Sequence, residues 1–136
     1  EFFSLAFCND SHGWELRSKY FKGSSSPKDI TTIKGKDSTR VKVYEGFMDL
    51  LSALSYYNIQ RPVCDSIVLN GVGFVERFIA LMPRYSNIDL FLDNDTAGQE
   101  ACRRIHNLRP NAVNQSQHLY PNHKDFNEFL LSQPRR

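Results

Sequence analysis

A chain of 136 residues that is 40% hydrophobic, 24% charged and 12% aromatic has the balance of one soluble folded domain and lies outside the range of disordered or fibrous chains. The longest early apolar run, residues 2–8 broken by Ser4, is too short for a bilayer span and lacks a basic leader, so neither a membrane protein nor a signal peptide is indicated. Cys8, Cys64 and Cys102 match no CxxC spacing, which excludes a zinc ribbon inside the chain and points to buried or free thiols in a reducing, cytoplasmic compartment.

Residues 2–21 hold two apolar-rich runs around the turn-forming cluster Asn9-Asp10-Ser11-His12-Gly13, a pattern that predicts a β-hairpin. Gly23 to Pro27 should break regular structure, and the β-branched run Ile30 to Ile33 predicts a third strand before a loop at 35–38. Val41 to Tyr44 then reads as a strand and Phe47 to Tyr57, with apolar residues at 47, 50, 51 and 54, as a helix. The unit recurs: strand Ser66 to Leu69, turn Asn70-Gly71-Val72-Gly73, and a helix from Phe74 to Met82 stopped by Pro83. It recurs again as strand Ile88 to Leu92, polar turn Asp93 to Thr96 and helix Ala97 to Leu108. A fourth strand falls at Ala112-Val113 or at His118 to Tyr120, and Phe126 to Leu131 forms a last short helix. This alternation implies βαβ units, an α/β fold with a mainly parallel sheet between helices, and an antiparallel N-terminal element leaning on it. No residues recur with a period of 20 to 50, so a solenoid is excluded.

The net charge of +2 is unevenly spread. Between Arg17 and Lys42 eight basic residues face only Asp29 and Asp37, a local balance of +6 that leaves −4 for the rest. Lys22, Lys34, Lys36, Arg40 and Lys42 in this arm are candidate contacts to a phosphate backbone; a solvated, Lys-rich surface hairpin is the plainer alternative. The acidic excess gathers at strand ends, where open α/β sheets bind ligands. Glu45 follows the first strand of the α/β unit, Asp93 and Asp95 follow the third, Asp125 follows the weak fourth after a loop, and Asp49 lies one helical turn beyond Glu45. Each alone is also an ordinary helix-start residue. Together they would repel one another unless a cation intervened, and oxygen donors without His or Cys favour Mg²⁺ or Mn²⁺ and chemistry at phosphorus. Asp89, at a strand start, reads as structural or surface. The paired glycines at 71 and 73 form a tight turn or a phosphate approach, and Trp14 a base-stacking or core residue.

Val43-Tyr44-Glu45-Gly46-Phe47-Met48-Asp49 resembles the strand-Glu-Gly-helix motif of the Toprim domain, and Leu92-Asp93-Asn94-Asp95-Thr96-Ala97-Gly98 resembles its Asp-x-Asp motif. Lys124-Asp125-Phe126-Asn127-Glu128 looks like the final acidic motif, and the match is nearest to the Toprim domain of bacterial DnaG-type primases. One departure is Asn127, where primases tend to carry a second Asp; its oxygen has no charge, which weakens a second metal site. The resemblance implies a central, mainly parallel sheet of about four strands flanked by helices, with an N-terminal antiparallel β-hairpin extension. It divides the chain into a leader at 1–39, like the region preceding Toprim in primase-like proteins of mobile elements, and a catalytic domain at 40–136. It further implies Mg²⁺-dependent (or Mn²⁺-dependent) synthesis of RNA primers from nucleoside triphosphates on single-stranded DNA. Glu45 would act as general acid or base, Asp93 and Asp95 would hold the metal, and Asp125 and Asp49 would complete the cluster. A replicative helicase is the implied partner. The start at Glu1 suggests a piece of a parent protein whose zinc ribbon and other domains lie elsewhere. Two further readings keep the fold: Toprim-type nuclease or topoisomerase-like strand cleavage, and a non-catalytic DNA-binding module of a larger mobilisation or replication protein.

Overall fold

A computed structural model describes residues 3–135. Three short strands, β1 (Leu5–Cys8), β2 (Trp14–Arg17) and β3 (Lys22–Ser25), form an antiparallel meander in the order β1-β2-β3. Asn9 closes its first turn: Oδ1 accepts from the N–H groups of Ser11 and Gly13, and Nδ2 donates to the Pro27 carbonyl. The expected hairpin is therefore present and gains a third strand where Gly and Ser predicted none. Cross-strand bonding decides this against propensity, with Trp14 paired to Ser25 and Arg17 to Lys22. Trp14 is 43% exposed, so its core reading does not hold.

The larger sheet has the order β4-β6-β5-β7-β8, built from β4 (Thr31–Ile33), β5 (Asp37–Tyr44), β6 (Cys64–Val68), β7 (Asn87–Phe91) and β8 (Val113–Asn114). β5 through β8 are parallel; β4 runs antiparallel on the edge of β6. The Ile30 to Ile33 run thus joins this sheet and not the meander, and the sheet begins upstream of residue 40. The fourth parallel strand is the one at Val113; residues 115–119 are helical.

Among the described residues, five α-helices cover the sheet: α1 (Phe47–Tyr56), α2 (Val75–Leu81), α3 (Thr96–Leu108), α4 (Gln115–Leu119) and α5 (Phe126–Ser132). Alternation along β5 and β7 divides the core. Val41, Val43, Ile88 and Leu90 pack with Phe78 and Ile105 of α2 and α3, whereas Tyr44 and Phe91 face Leu50 and Phe126 of α1 and α5. The meander is fastened to this body by the stacked rings of Phe7 and Phe47, with centroids 5.1 Å apart. The Asp10 carboxylate accepts from both N–H and hydroxyl of Thr32, and Asp29 pairs with Arg77 of α2 at 3.1 Å.

Candidate metal centre and its cleft

β5 and β7 end level with one another because Tyr44 pairs with Phe91. The residues that follow them therefore leave the same edge of the sheet. Glu45 emerges first, and its Oε1 accepts a hydrogen bond from the Asp93 N–H at 3.1 Å, tying the two strand ends together. Asp49, in the first turn of α1, accepts from the Gly46 N–H through one oxygen and from the Asn127 N–H through the other. It is buried between the starts of α1 and α5.

Asp95 and Asp125 are helix N-caps. Asp95 Oδ1 accepts from the Gly98 N–H and Asp125 Oδ1 from the Glu128 N–H, both at 2.8 Å. The second oxygen of each has no hydrogen-bond partner among the described residues. Capping and cation binding are thus compatible in the same side chain. Gly98 permits this geometry: a Cβ there would lie 2.1 Å from the Asp93 carbonyl oxygen, so α3 begins closer to Asp93 than any side chain allows. Asn94, the middle residue of the Asp-x-Asp turn, donates from its backbone to Lys124 and from its side chain to Tyr120 and His123. This fixes the 120–124 loop and with it the position of Asp125. Sequence reading passed over Asn94, since its partners lie some thirty residues away.

The result is two groups of three carboxylates. Glu45, Asp93 and Asp95 bring one oxygen each within 4.8 Å of one another, and so do Asp49, Asp93 and Asp125. Asp93 belongs to both. None of the five is in an ion pair among the described residues. Burial, reinforced by the charges of Asp93 and Asp125, pushes Asp49 up to about 7. The Glu45 and Asp93 carboxyls are also raised, first by desolvation; at Asp93 the contact with Glu45 adds to it, and at Glu45 the charges of Asp95 and Asp49 do. Acids held this close in a partly dry site disfavour their own ionised forms, and a divalent cation removes that conflict. The all-oxygen donor set fits Mg²⁺ or Mn²⁺. Asn127 does not add a charge here; its amide donates to Ser52.

A cleft of about 450 Å³ opens over these groups. Its acidic wall carries Glu45, Asp49, Asp93 and Asp125, and its opposite wall carries Arg17, Lys22 and Lys28 from the meander and its exit, with Lys124 beside Asp125. Lys28 holds Glu15 at 3.1 Å on the same wall. Of the five basic residues expected to contact nucleic acid, Lys22 alone lines this cleft. Lys34 is paired at 3.0 Å with Asp65 near the amino end of β6. Asp65 is fully buried, but the Gly35 N–H, the Ser38 hydroxyl, Lys34 and the Tyr85 hydroxyl outweigh its desolvation and hold it down at about 2. Lys36 follows in the adjoining loop, its N–H donating to Val63. Arg40 and Lys42 line a separate groove on the α1 side of the sheet. Asp89, read as outside the site, lies in that groove and accepts from Gln115. Arg17 and Lys28 belong to the basic arm, but their place beside the carboxylates depends on strand pairing that charge counting does not reveal.

The profile of a family described as Toprim-like matches residues 42–130, and one described as a domain of unknown function matches 1–26. No curated protein matches significantly by sequence. The crystal structure of the primase fragment of the bacteriophage T7 primase-helicase protein superposes with a TM-score of 0.67 at 17% identity, covering 94% of this chain and 56% of that one. A bacteriophage T7 complex, the lagging-strand DNA polymerase with primase domains of two gp4 subunits bound to an RNA/DNA hybrid and dTTP, gives 0.56 at 15% identity. In that case 94% of this chain and 74% of the other are covered. At these identities the likeness is one of fold, and the chain spans little more than half of the T7 primase fragment.

Proposed function

This chain belongs to the Toprim-like family, and from that membership we propose that it is the catalytic core of a primase-like protein, building RNA primers from nucleoside triphosphates on single-stranded DNA. The observation that carries the reading is the pair of carboxylate groups sharing Asp93, set across one cleft from Arg17, Lys22 and Lys28. The meander and its exit act as the leader that supplies the basic wall, and the catalytic unit begins with the sheet at β4, upstream of residue 40. Glu45, Asp93 and Asp95 hold one Mg²⁺ or Mn²⁺, and Asp49, Asp93 and Asp125 offer a second, weaker position. Such a cation, when bound, neutralises charge developing on a transferring phosphoryl group.

The chain's own residues do the rest. Glu45, raised by burial and hydrogen-bonded to the Asp93 N–H, is placed to take the proton of an attacking 3′-hydroxyl. Arg17, Lys22, Lys28 and Lys124 orient phosphates, and the meander limits water on that side. A replicative helicase partner, a zinc ribbon in the parent protein, a cytoplasmic setting and a mobile-element origin extend the same reading; no helix among the described residues is long and apolar enough to cross a membrane. Strand cleavage would use the same carboxylates, but no tyrosine among the described residues lines the cleft, so a covalent tyrosine mechanism would need another domain. Primer synthesis by the parent protein should be abolished by Glu45→Gln and by Asp93→Asn. Undiminished synthesis in both would exclude the assignment, and nicking without nucleoside triphosphates would move it to cleavage.

A further inference from the structure

We propose that the protein carries a second nucleotide-binding site, separate from the carboxylate cleft, in the groove that Arg40 and Lys42 form with Tyr57 on the α1 side of the sheet. It shares with the primase reading only the class of ligand.

The groove is open to solvent and has a volume of about 300 Å³, at the lower end of small-ligand sites. Its floor is the part of β5 and β7 that α1 and α5 leave uncovered, and α4 supplies its far wall. Arg40 lies five residues before Glu45, roughly 16 Å along the strand at about 3.3 Å per residue, so one small ligand does not span both sites. Arg40 is exposed, and neither it nor Lys42 is in an ion pair among the described residues. Asp89 is the cross-strand neighbour of Lys42, yet the ammonium lies 5.0 Å from the centroid of the Tyr57 ring and 5.9 Å from that of Phe91. An aromatic face steadies a cation without cancelling its charge, so Lys42 stays available to an anion. His118 stands exposed on the α4 rim.

The remaining features select among anions. Tyr57, 43% exposed, offers ring surface on which a base can stack. Asp89 accepts from Gln115 Nε2 through one oxygen at 2.9 Å, and its other oxygen has no partner among the described residues. A carboxylate in a phosphate site penalises a bare anion and favours a ligand that also brings a donor, such as a sugar hydroxyl or a base amino group. Two cations, a ring and a free acceptor match a nucleotide, either alone or within a single strand.

The test is an NMR titration of the ¹⁵N-labelled chain with dTMP, a short oligo(dT) and inorganic phosphate. The amides of Lys42, Tyr57, Asp89 and Gln115 should shift with both nucleotide probes and stay still at equal phosphate. Tighter binding of oligo(dT) than of dTMP assigns the site to a strand, and equal binding assigns it to the free nucleotide. In R40E/K42E the affinity read from the groove shifts should fall roughly tenfold, whereas Asp93→Asn should leave them in place whether or not primer synthesis proves to be the activity of the cleft. Shifts confined to cleft residues, equal shifts with phosphate, or undiminished binding in a folded R40E/K42E protein would overturn the proposal. If that variant does not fold, the wild-type shift map decides alone.

Discussion

Asp93 serves two carboxylate groups, so the ionisation of each is felt by the other. Asp49 and its neighbours hold protons more tightly in the folded protein than in the unfolded chain, where a carboxyl titrates near its ordinary value of about 4. The sign follows: the contribution of these carboxyls to metal-free stability is complete below about pH 4 and is lost as pH rises from there through about 7 to about 8. Melting temperature in EDTA should therefore decline between about pH 5 and pH 8, and Mn²⁺ should restore it most at the upper end. Asp49→Asn should flatten this decline and raise metal-free stability near pH 8 on the order of 1 kcal/mol, roughly 4 °C. A pH-independent melting temperature in wild type would refute the account. Gly98→Ala places a Cβ against the Asp93 carbonyl, and we expect a loss of about 2 kcal/mol together with weaker Mn²⁺ binding in calorimetry.

Among the elements, α5 cannot stand alone. Seven residues are too few for an isolated helix in water, so its position comes from packing. Phe126 supplies it: the fully buried ring lies 5.2 Å from Tyr120, 5.7 Å from Phe91 and 5.8 Å from Tyr56. Asp125 precedes that ring and Asn127 follows it, so the anchor of the helix also places a carboxylate of the candidate metal centre and the N–H that holds Asp49. Phe126→Ala should lower unfolding free energy by about 3 to 4 kcal/mol in urea titration. It should also weaken Mn²⁺ affinity although every carboxylate is retained. Unchanged affinity in the folded variant would show that α5 does not set the second group.

For the whole molecule, the decisive relation is between the meander and the larger sheet. They are joined by ring stacking at Phe7, by Asp10 to Thr32 and by Asp29 to Arg77, and these contacts bring a basic wall opposite an acidic one. Like charges concentrated on one wall would spread apart; opposed walls would offer a phosphate chain positive charge on both sides once the carboxylates hold a divalent cation. Neutralising Arg17 and Lys22 together should weaken binding of oligo(dT) and shallow its salt dependence by about 1.4 units of slope, at about 0.7 per charge on a single strand. Lys34→Gln should leave that slope unchanged, because Lys34 is turned to Asp65. Equal effects of the two changes would return the phosphate contacts to the basic arm as a whole.

Local signals were legible without the fold. The period of two in Val41 to Tyr44 and Ile88 to Phe91, the helical spacing from Phe47, and the Gly and Pro punctuation each act within a few residues, and the structure places strands and helices there. The carboxylates at strand ends were legible for the same reason, since chain order alone puts Glu45 and Asp93 after parallel strands. Pairing was not legible. Lys22 to Ser25 is a strand only because β2 bonds to it, and Thr31 to Ile33 sits in the large sheet only because β6 offers an edge. The basic arm shows the limit most clearly: a run of charge in sequence has no direction, because successive strand residues point to opposite faces and each strand takes its own partner. Tertiary structure sent Arg17 and Lys22 to the cleft, Lys34 to Asp65, and Arg40 and Lys42 to another groove. The composition determined that such charges had to be reconciled, and register determined where.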